Sequence, residues 1–141
     1  MTIVIDTNVL LVSISAKSKY HWLYQIVIQK KIAISFSNEI LMEYEEVITD
    51  HWNIDAAKNA IRSLLELSST QLTVAYFKLN LITNDEDDNK FVDCAFAANA
   101  NYIVSNDTDF NVLKNVSFPS IRVVSIAEFK EILISKKIIE G

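Results

Sequence analysis

The sequence predicts an α/β protein, a three-layer sandwich with a mostly parallel central sheet. Two observations carry that expectation. Short apolar, β-branched runs alternate with longer stretches of helical periodicity. Two of the runs, Ile3-Val4-Ile5 and Tyr102-Ile103-Val104, are followed by an aspartate close to where the chain must turn, Asp6 and Asp107. Strands that alternate with helices imply a parallel sheet covered on both faces. The carboxyl ends of such strands line the binding crevice of an open α/β sheet.

Residues 2–6 read as a buried strand. Thr7-Asn8 turns the chain into a short helix near residues 8–15. Residues 20–30 carry the stripe Trp22, Leu23, Ile26 and Val27 of an amphipathic helix. Residues 32–36 form a second strand. Ser37 or Asn38 can cap the next helix, which runs to about Thr49 with Ile40, Leu41, Tyr44, Val47 and Ile48 inward. Asn53 or Asp55 starts another, with Ala57, Ile61, Leu64 and Leu65 inward. Residues 70–83 fit two structures equally. Thr and Val favour a strand, while Leu72, Ala75, Tyr76 and Leu79 have helical spacing. The acidic cluster Asp85-Glu86-Asp87-Asp88 precedes a helix over about 88–99. Residues 102–105 make a third strand, Asp109 to Lys114 a short helix, and 121–124 a further strand. Ser125-Ile126-Ala127-Glu128 is a capping box that opens the last helix, through about Ile134.

One glycine and one proline leave little punctuation, and no linker or repeat divides the chain. Residues 1–135 therefore read as a single domain and 136–141 as a C-terminal tail. With 141 residues, 50% of them apolar, a real core can be buried. The longest apolar run is far shorter than a bilayer span, and Asp6 interrupts the first one with no basic segment before it. Neither a membrane span nor a signal peptide is expected, which makes the cytoplasm the expected location. The single cysteine, Cys94, permits no internal disulfide and reads as a small buried hydrophobe. A net charge of −5 argues against simple electrostatic capture of nucleic acid. Carboxylates reserved for a metal count toward that total, however, and Lys17, Lys19, Lys30 and Lys31 can form a local basic rim. Tyr20, Trp22 and Tyr24 on the early helices exceed what one core readily buries, and predict self-association as a homodimer.

Four acids stand where elements turn or begin: Asp6 and Asp107 at strand ends, Asp88 before a helix, and Glu43 on the helix after the second strand. Each alone has an ordinary explanation, as a turn residue, a helix-dipole partner or a solvated side chain. Asp6 and Asp107 should nonetheless emerge at the same edge of one sheet. Periodicity does not select Glu43 unaided: at about 100° per residue it falls at one margin of the apolar stripe and Glu45 at the other. Asp88 has close rivals in Asp87 and Asp93. Carboxylates gathered in one crevice repel and need neutralising, for which a hard divalent cation bound through oxygen is suited.

The chain resembles the PIN domain family, the nuclease fold of many bacterial toxin–antitoxin toxins. Ile3-Val4-Ile5-Asp6-Thr7-Asn8-Val9-Leu10 is similar to its first strand and leading aspartate, and Ser37-Asn38-Glu39-Ile40-Leu41-Met42-Glu43-Tyr44 to its second acidic motif, a match that selects Glu43. Asp88-Asn89-Lys90-Phe91-Val92-Asp93-Cys94-Ala95 resembles the third, and Asn101-Tyr102-Ile103-Val104-Ser105-Asn106-Asp107-Thr108-Asp109-Phe110 the fourth. The resemblance runs from residue 1 to about 135 in the family's order. Two positions depart from it. Ser105 stands where threonine is usual, which keeps the hydroxyl. Ala100-Asn101 stands where glycine is common, and Asn101 can adopt the left-handed turn.

What the resemblance implies is a metal-dependent endoribonuclease acting on single-stranded RNA, the toxin of a toxin–antitoxin pair. Asp6, Glu43, Asp88 and Asp107 would hold Mg²⁺ or Mn²⁺ and carry catalysis. Asp93 either joins them as a fifth acid or belongs to its helix alone. Asn8 and Ser105 would orient a carboxylate or a water, with capping of the first helix as the other role open to Asn8. One or two such ions can activate a water, offset phosphoryl charge and stabilise a leaving oxygen. They prefer oxygen ligands, and the two histidines, His21 and His51, lie away from the acidic motifs, which disfavours zinc. A phosphatase that begins with a strand and aspartate needs a second aspartate where Asn8 stands. A phosphoacceptor receiver domain needs an acid pair before the strand and a lysine at a later strand end. The remaining alternative is a catalytically inactive PIN-like binding module acting through protein partners.

Overall fold

The computed structural model describes every residue except Tyr76 and Asn84. Five strands form one sheet: β1 (Thr2–Ile5), β2 (Ala33–Phe36), β3 (Gln71–Leu72), β4 (Tyr102–Val104) and β5 (Val123–Val124). Their order is β3-β2-β1-β4-β5, and each neighbouring pair is parallel. Among the described residues six α-helices accompany them, five between strands and one after the last: α1 (Thr7–Ile14), α2 (His21–Ile28), α3 (Asn38–His51), α4 (Ile54–Leu65), α5 (Asn89–Ala97) and α6 (Ile126–Ser135). Successive side chains of a strand point to opposite faces, and Ile3, Val4 and Ile5 are all fully buried. Both faces of the sheet are therefore covered, as an apolar strand without alternation requires.

Strand order places the functional edge. The chain goes from β1 outward through β2 to β3, then crosses back to lay β4 on the other side of β1. The order reverses between β1 and β4, and ligand crevices of open α/β sheets form at such a switch point, beyond the carboxyl ends of the strands. Ile5 pairs with Val104, and the Asp6 N–H donates to the Val104 carbonyl at 3.0 Å. The ladder thus carries β1 to Asp6 in register with the end of β4.

Local chemistry settles the open boundaries. The Ser37 hydroxyl accepts from the Ile40 N–H and starts α3; the Asn53 side chain accepts from Ala56 N–H and starts α4. Ser125 and Glu128 form the reciprocal capping box of α6. Asn8 does not cap the first helix: α1 begins at Thr7, Asp6 takes the cap position, and Asn8 lies exposed in the first turn. The left-handed residue after α5 is Asn99 (φ 51°), not Asn101, whose N–H and side chain instead pair with the backbone of Thr2. With glycine only at position 141, three helices end on other left-handed residues. Lys30, Asn99 and Lys137 have positive φ, and the following N–H reaches back to Ile26, Ala95 and Leu133 respectively. This is the Schellman closure normally given to glycine, which explains why so little punctuation still yields short helices.

The described residues between 70 and 83 form neither a long strand nor a helix. After Leu72 the described backbone is irregular, and α5 satisfies part of it. The buried Asn89 amide donates to the Ile82 carbonyl at 2.8 Å and accepts from its N–H at 2.9 Å, and Asp93 accepts from Leu79 N–H at 3.0 Å. Side chains replace the missing ladder, as buried backbone groups demand. Tyr76, part of the helical spacing, lies outside the described residues.

One core residue sets the register of α3 against the sheet. Tyr44 is fully buried, its ring packs edge-on against Phe36, and its hydroxyl donates to the Ile5 carbonyl. Tyr44 follows Glu43, and Ile5 precedes Asp6, so this bond brings the two acids to one place. Tyr44→Phe keeps the ring and deletes the bond. Expected is a loss of about 1–2 kcal/mol of stability, read as a thermal midpoint a few degrees lower. An unchanged midpoint would show that the hydroxyl does not anchor the helix.

Candidate active site

The Ser105 hydroxyl joins the two strand ends. It donates to Asp6 Oδ2 at 2.8 Å and accepts from the Asp107 N–H at 3.0 Å. Both aspartates line one depression with Asn8, Tyr20 and Asn106, of ≈ 310 Å³. Asp6 is buried, and burial raises its pKa most; the Ser105 hydroxyl and Thr7 N–H pull it down, and the charges of Asp107 and Glu43 push it up again. Asp107 spends one oxygen on the Asp109 N–H at 2.9 Å, which opens the 3₁₀ segment Thr108–Asn115 where a short helix was expected.

Glu43 comes to this edge from α3. Its carboxylate accepts from the Thr7 hydroxyl and pairs with Lys90 Nζ at 2.7 Å. Lys90 also reaches Asp87 at 3.4 Å. Burial alone would lower the lysine's pKa, but its bonds and charge pairing with Glu43 and then Asp87 together outweigh that and raise it. Glu45 is exposed on the far margin of the helix.

Asp88 ends the 3₁₀ turn Glu86–Asp88. Its Oδ2 is buried and has no hydrogen-bond partner. Its pKa is pushed up to about 7, first by burial and then by Asp6, Asp85, Asp107 and Asp109. A buried carboxylate oxygen without a partner, surrounded by like charges, is the arrangement a cation would relieve. Carboxylate oxygens of Asp85, Asp88 and Asp109 lie within 4.8 Å of one another. Among the described residues that is the one group packed so tightly; the charges of Asp6 and Asp107 also bear on Asp88, and that of Glu43 bears on Asp6. Asp93 stands apart. It lines a separate depression of ≈ 350 Å³ with Glu39 and Lys78, and its carboxylate is held by Leu79 N–H.

The donors fit a hard divalent cation, because all are oxygens. Softer ligands are engaged elsewhere. His21 Nδ1 lies 2.9 Å from the Ser13 carbonyl oxygen, His51 stacks edge-on against Trp52, and the buried Cys94 thiol is pushed up to about 11, chiefly by burial. Thr7, Lys90, Asp85 and Asp109 are not singled out by the sequence. Lys90 and Asp109 both lie inside the motifs quoted above, two residues after Asp88 and Asp107. Thr7 lies inside the first motif beside Asp6, and Asp85 opens the acidic cluster before α5, but neither carried a signal beyond that adjacency.

A parallel α/β sheet with carboxylates clustered at its switch point defines a class of acidic-site proteins. The chain belongs to the PIN domain family, whose model matches residues 2–109. Comparison with curated protein sequences finds no match. Among solved structures, the chain is similar to one of VapBC2 from Rickettsia felis bound to a DNA fragment from their promoter. The TM-score is 0.61 at 16% identity, covering 89% of this chain and 98% of that one. At that identity the likeness concerns the fold.

Proposed function

We propose that this protein is a metal-dependent endoribonuclease that cleaves single-stranded RNA, and the toxin of a toxin–antitoxin pair. PIN domains are generally nucleases, and a full acidic set at the switch point supports an active member over an inactive binding module. The observation that carries the reading is the orphaned, buried Asp88 oxygen beside Asp6 and Asp107, the two tied through the Ser105 hydroxyl. In this reading Asp6, Glu43, Asp88 and Asp107 hold Mg²⁺ or Mn²⁺, with Asp85 and Asp109 adjoining. The ion would supply a more acidic water and offset the phosphoryl charge. The chain's own residues do the rest. Ser105 fixes the Asp6 carboxylate, and Thr7 and Lys90 fix that of Glu43. Lys90 also offsets like charge until substrate and metal arrive.

The likeness to VapBC2 supports a partner antitoxin, and a homodimer belongs to the same reading. No helix among the described residues is long and apolar enough to cross a membrane, which is compatible with action in the cytoplasm. The test is cleavage of a single-stranded RNA with Mg²⁺ or Mn²⁺. Cleavage that EDTA abolishes is expected, and cleavage that persists in EDTA would reject the mechanism.

A further inference from the structure

A second depression adjoins the acidic one. It measures ≈ 420 Å³ and is lined by Lys19, Tyr20, Trp22, Asn106, Lys130 and the first turn of α6. Tyr20 and Asn106 line both depressions, so they form a shared wall between the carboxylates and this neighbour. Its chemistry is the reverse of the acidic side. Lys19 Nζ lies 5.0 Å from the Tyr20 ring centre, and Lys130 Nζ 5.6 Å from that of Trp22. Among the described residues neither lysine is paired with a carboxylate, since the ion pairs there belong to Lys90. Glu128, two residues before Lys130 on α6, turns its carboxylate back onto the Ser125 N–H. Asn106 keeps its oxygen on the Ile126 N–H, which fixes the wall to α6. In a chain of net charge −5, two unpaired ammonium groups over aromatic faces stand directly beside the acidic centre.

Single-stranded nucleic acid is held by that combination, with cations for the backbone and aromatic faces for the bases. We propose that this depression is the binding site for the nucleotide next to the cleaved phosphodiester of single-stranded RNA. Lys19 and Lys130 hold its phosphate, and Trp22, with Tyr20, offers a face to its base. The proposal rests on the ribonuclease reading and adds where the strand lies. The substrate strand would run from the carboxylates across Tyr20 and Asn106 into the aromatic pocket. This also gives an overall acidic protein a local means to hold a polyanion.

Trp22 and Trp52 are the chain's tryptophans, so Trp52→Phe leaves Trp22 as the sole tryptophan, read with excitation that spares tyrosine. The titration is run in an Asp6→Asn background with a short single-stranded RNA and Mn²⁺, so that the strand stays intact and binding is read whether or not the wild type cleaves. Saturable quenching of Trp22 is expected. Lys19→Gln together with Lys130→Gln should weaken binding on the order of tenfold and flatten the salt dependence by about 0.7 per lost phosphate contact. Unquenched emission with unchanged affinity in the lysine variant would overturn the site. Emission that tracks protein concentration and ignores RNA would assign the pocket to a protein contact, and would overturn it equally. EDTA-sensitive wild-type cleavage with unaffected lysine variants refutes this site alone. Lysine-dependent binding alongside EDTA-resistant cleavage refutes the metal mechanism alone.

Discussion

Asp6→Asn is expected to lower metal-dependent RNA cleavage at least ~10²-fold, a loss of roughly 2.7 kcal/mol in transition-state stabilisation. Asparagine keeps the shape, and the Ser105 hydroxyl can still donate to its side-chain oxygen. What disappears is one negative charge at the end of β1, where the β4 ladder and the Ser105 hydroxyl hold Asp6 in place. The fold should not suffer. Burial disfavours the charged form of Asp6, and Asp107 and Glu43 add repulsion, so its ionised state opposes folding. In EDTA near pH 8 the variant should melt no lower than wild type. Cleavage at the wild-type rate would remove Asp6 from the active site. Lost cleavage with a collapsed melting point would leave only a folding defect.

The sequence made the central strands and their acids legible because the signal is local. A β-branched run followed by aspartate is visible in Ile3-Val4-Ile5-Asp6, and a capping box is visible in Ser125 to Glu128. Shared placement of Asp6 and Asp107 also follows once the sheet is parallel. The opaque parts depend on distant partners. Leu79 and Ile82 are held by Asp93 and Asn89, side chains on a later helix, so no window over their own segment could reveal it. The left-handed turn fell to Asn99 because α5 ends two residues sooner than its apolar pattern suggests. Glu43 was ambiguous by periodicity because its position depends on Tyr44 reaching the Ile5 carbonyl, a contact between elements 39 residues apart. Lys90 was missed for a related reason. A lysine in an amphipathic helix reads as solvated surface, and its role appears only when α3 brings Glu43 within 2.7 Å.

Asp88 should give the metal-free protein a pH-dependent stability that metal cancels. Its folded pKa is raised to about 7 from 3.8, by burial first and then by Asp6, Asp85, Asp107 and Asp109. The folded chain therefore binds this proton more tightly than the unfolded chain does. The stability it contributes is fully present below the unfolded value of 3.8 and is lost as pH rises through about 7. Wild type in EDTA should accordingly melt lower at pH 8 than at pH 6. Mn²⁺ competes with that proton, so the rise in melting point on adding Mn²⁺ should be larger at pH 8. Asp88→Asn removes the titrating group and fills the buried position with a neutral one. Its melting point in EDTA should vary less between pH 6 and 8, Mn²⁺ should raise it less, and cleavage should fall by ~10²-fold or more. Asp6 remains in the variant with its own raised pKa, so some pH dependence persists. If Asp88→Asn and wild type show the same pH dependence and the same response to Mn²⁺, the orphaned oxygen is not where the cation binds.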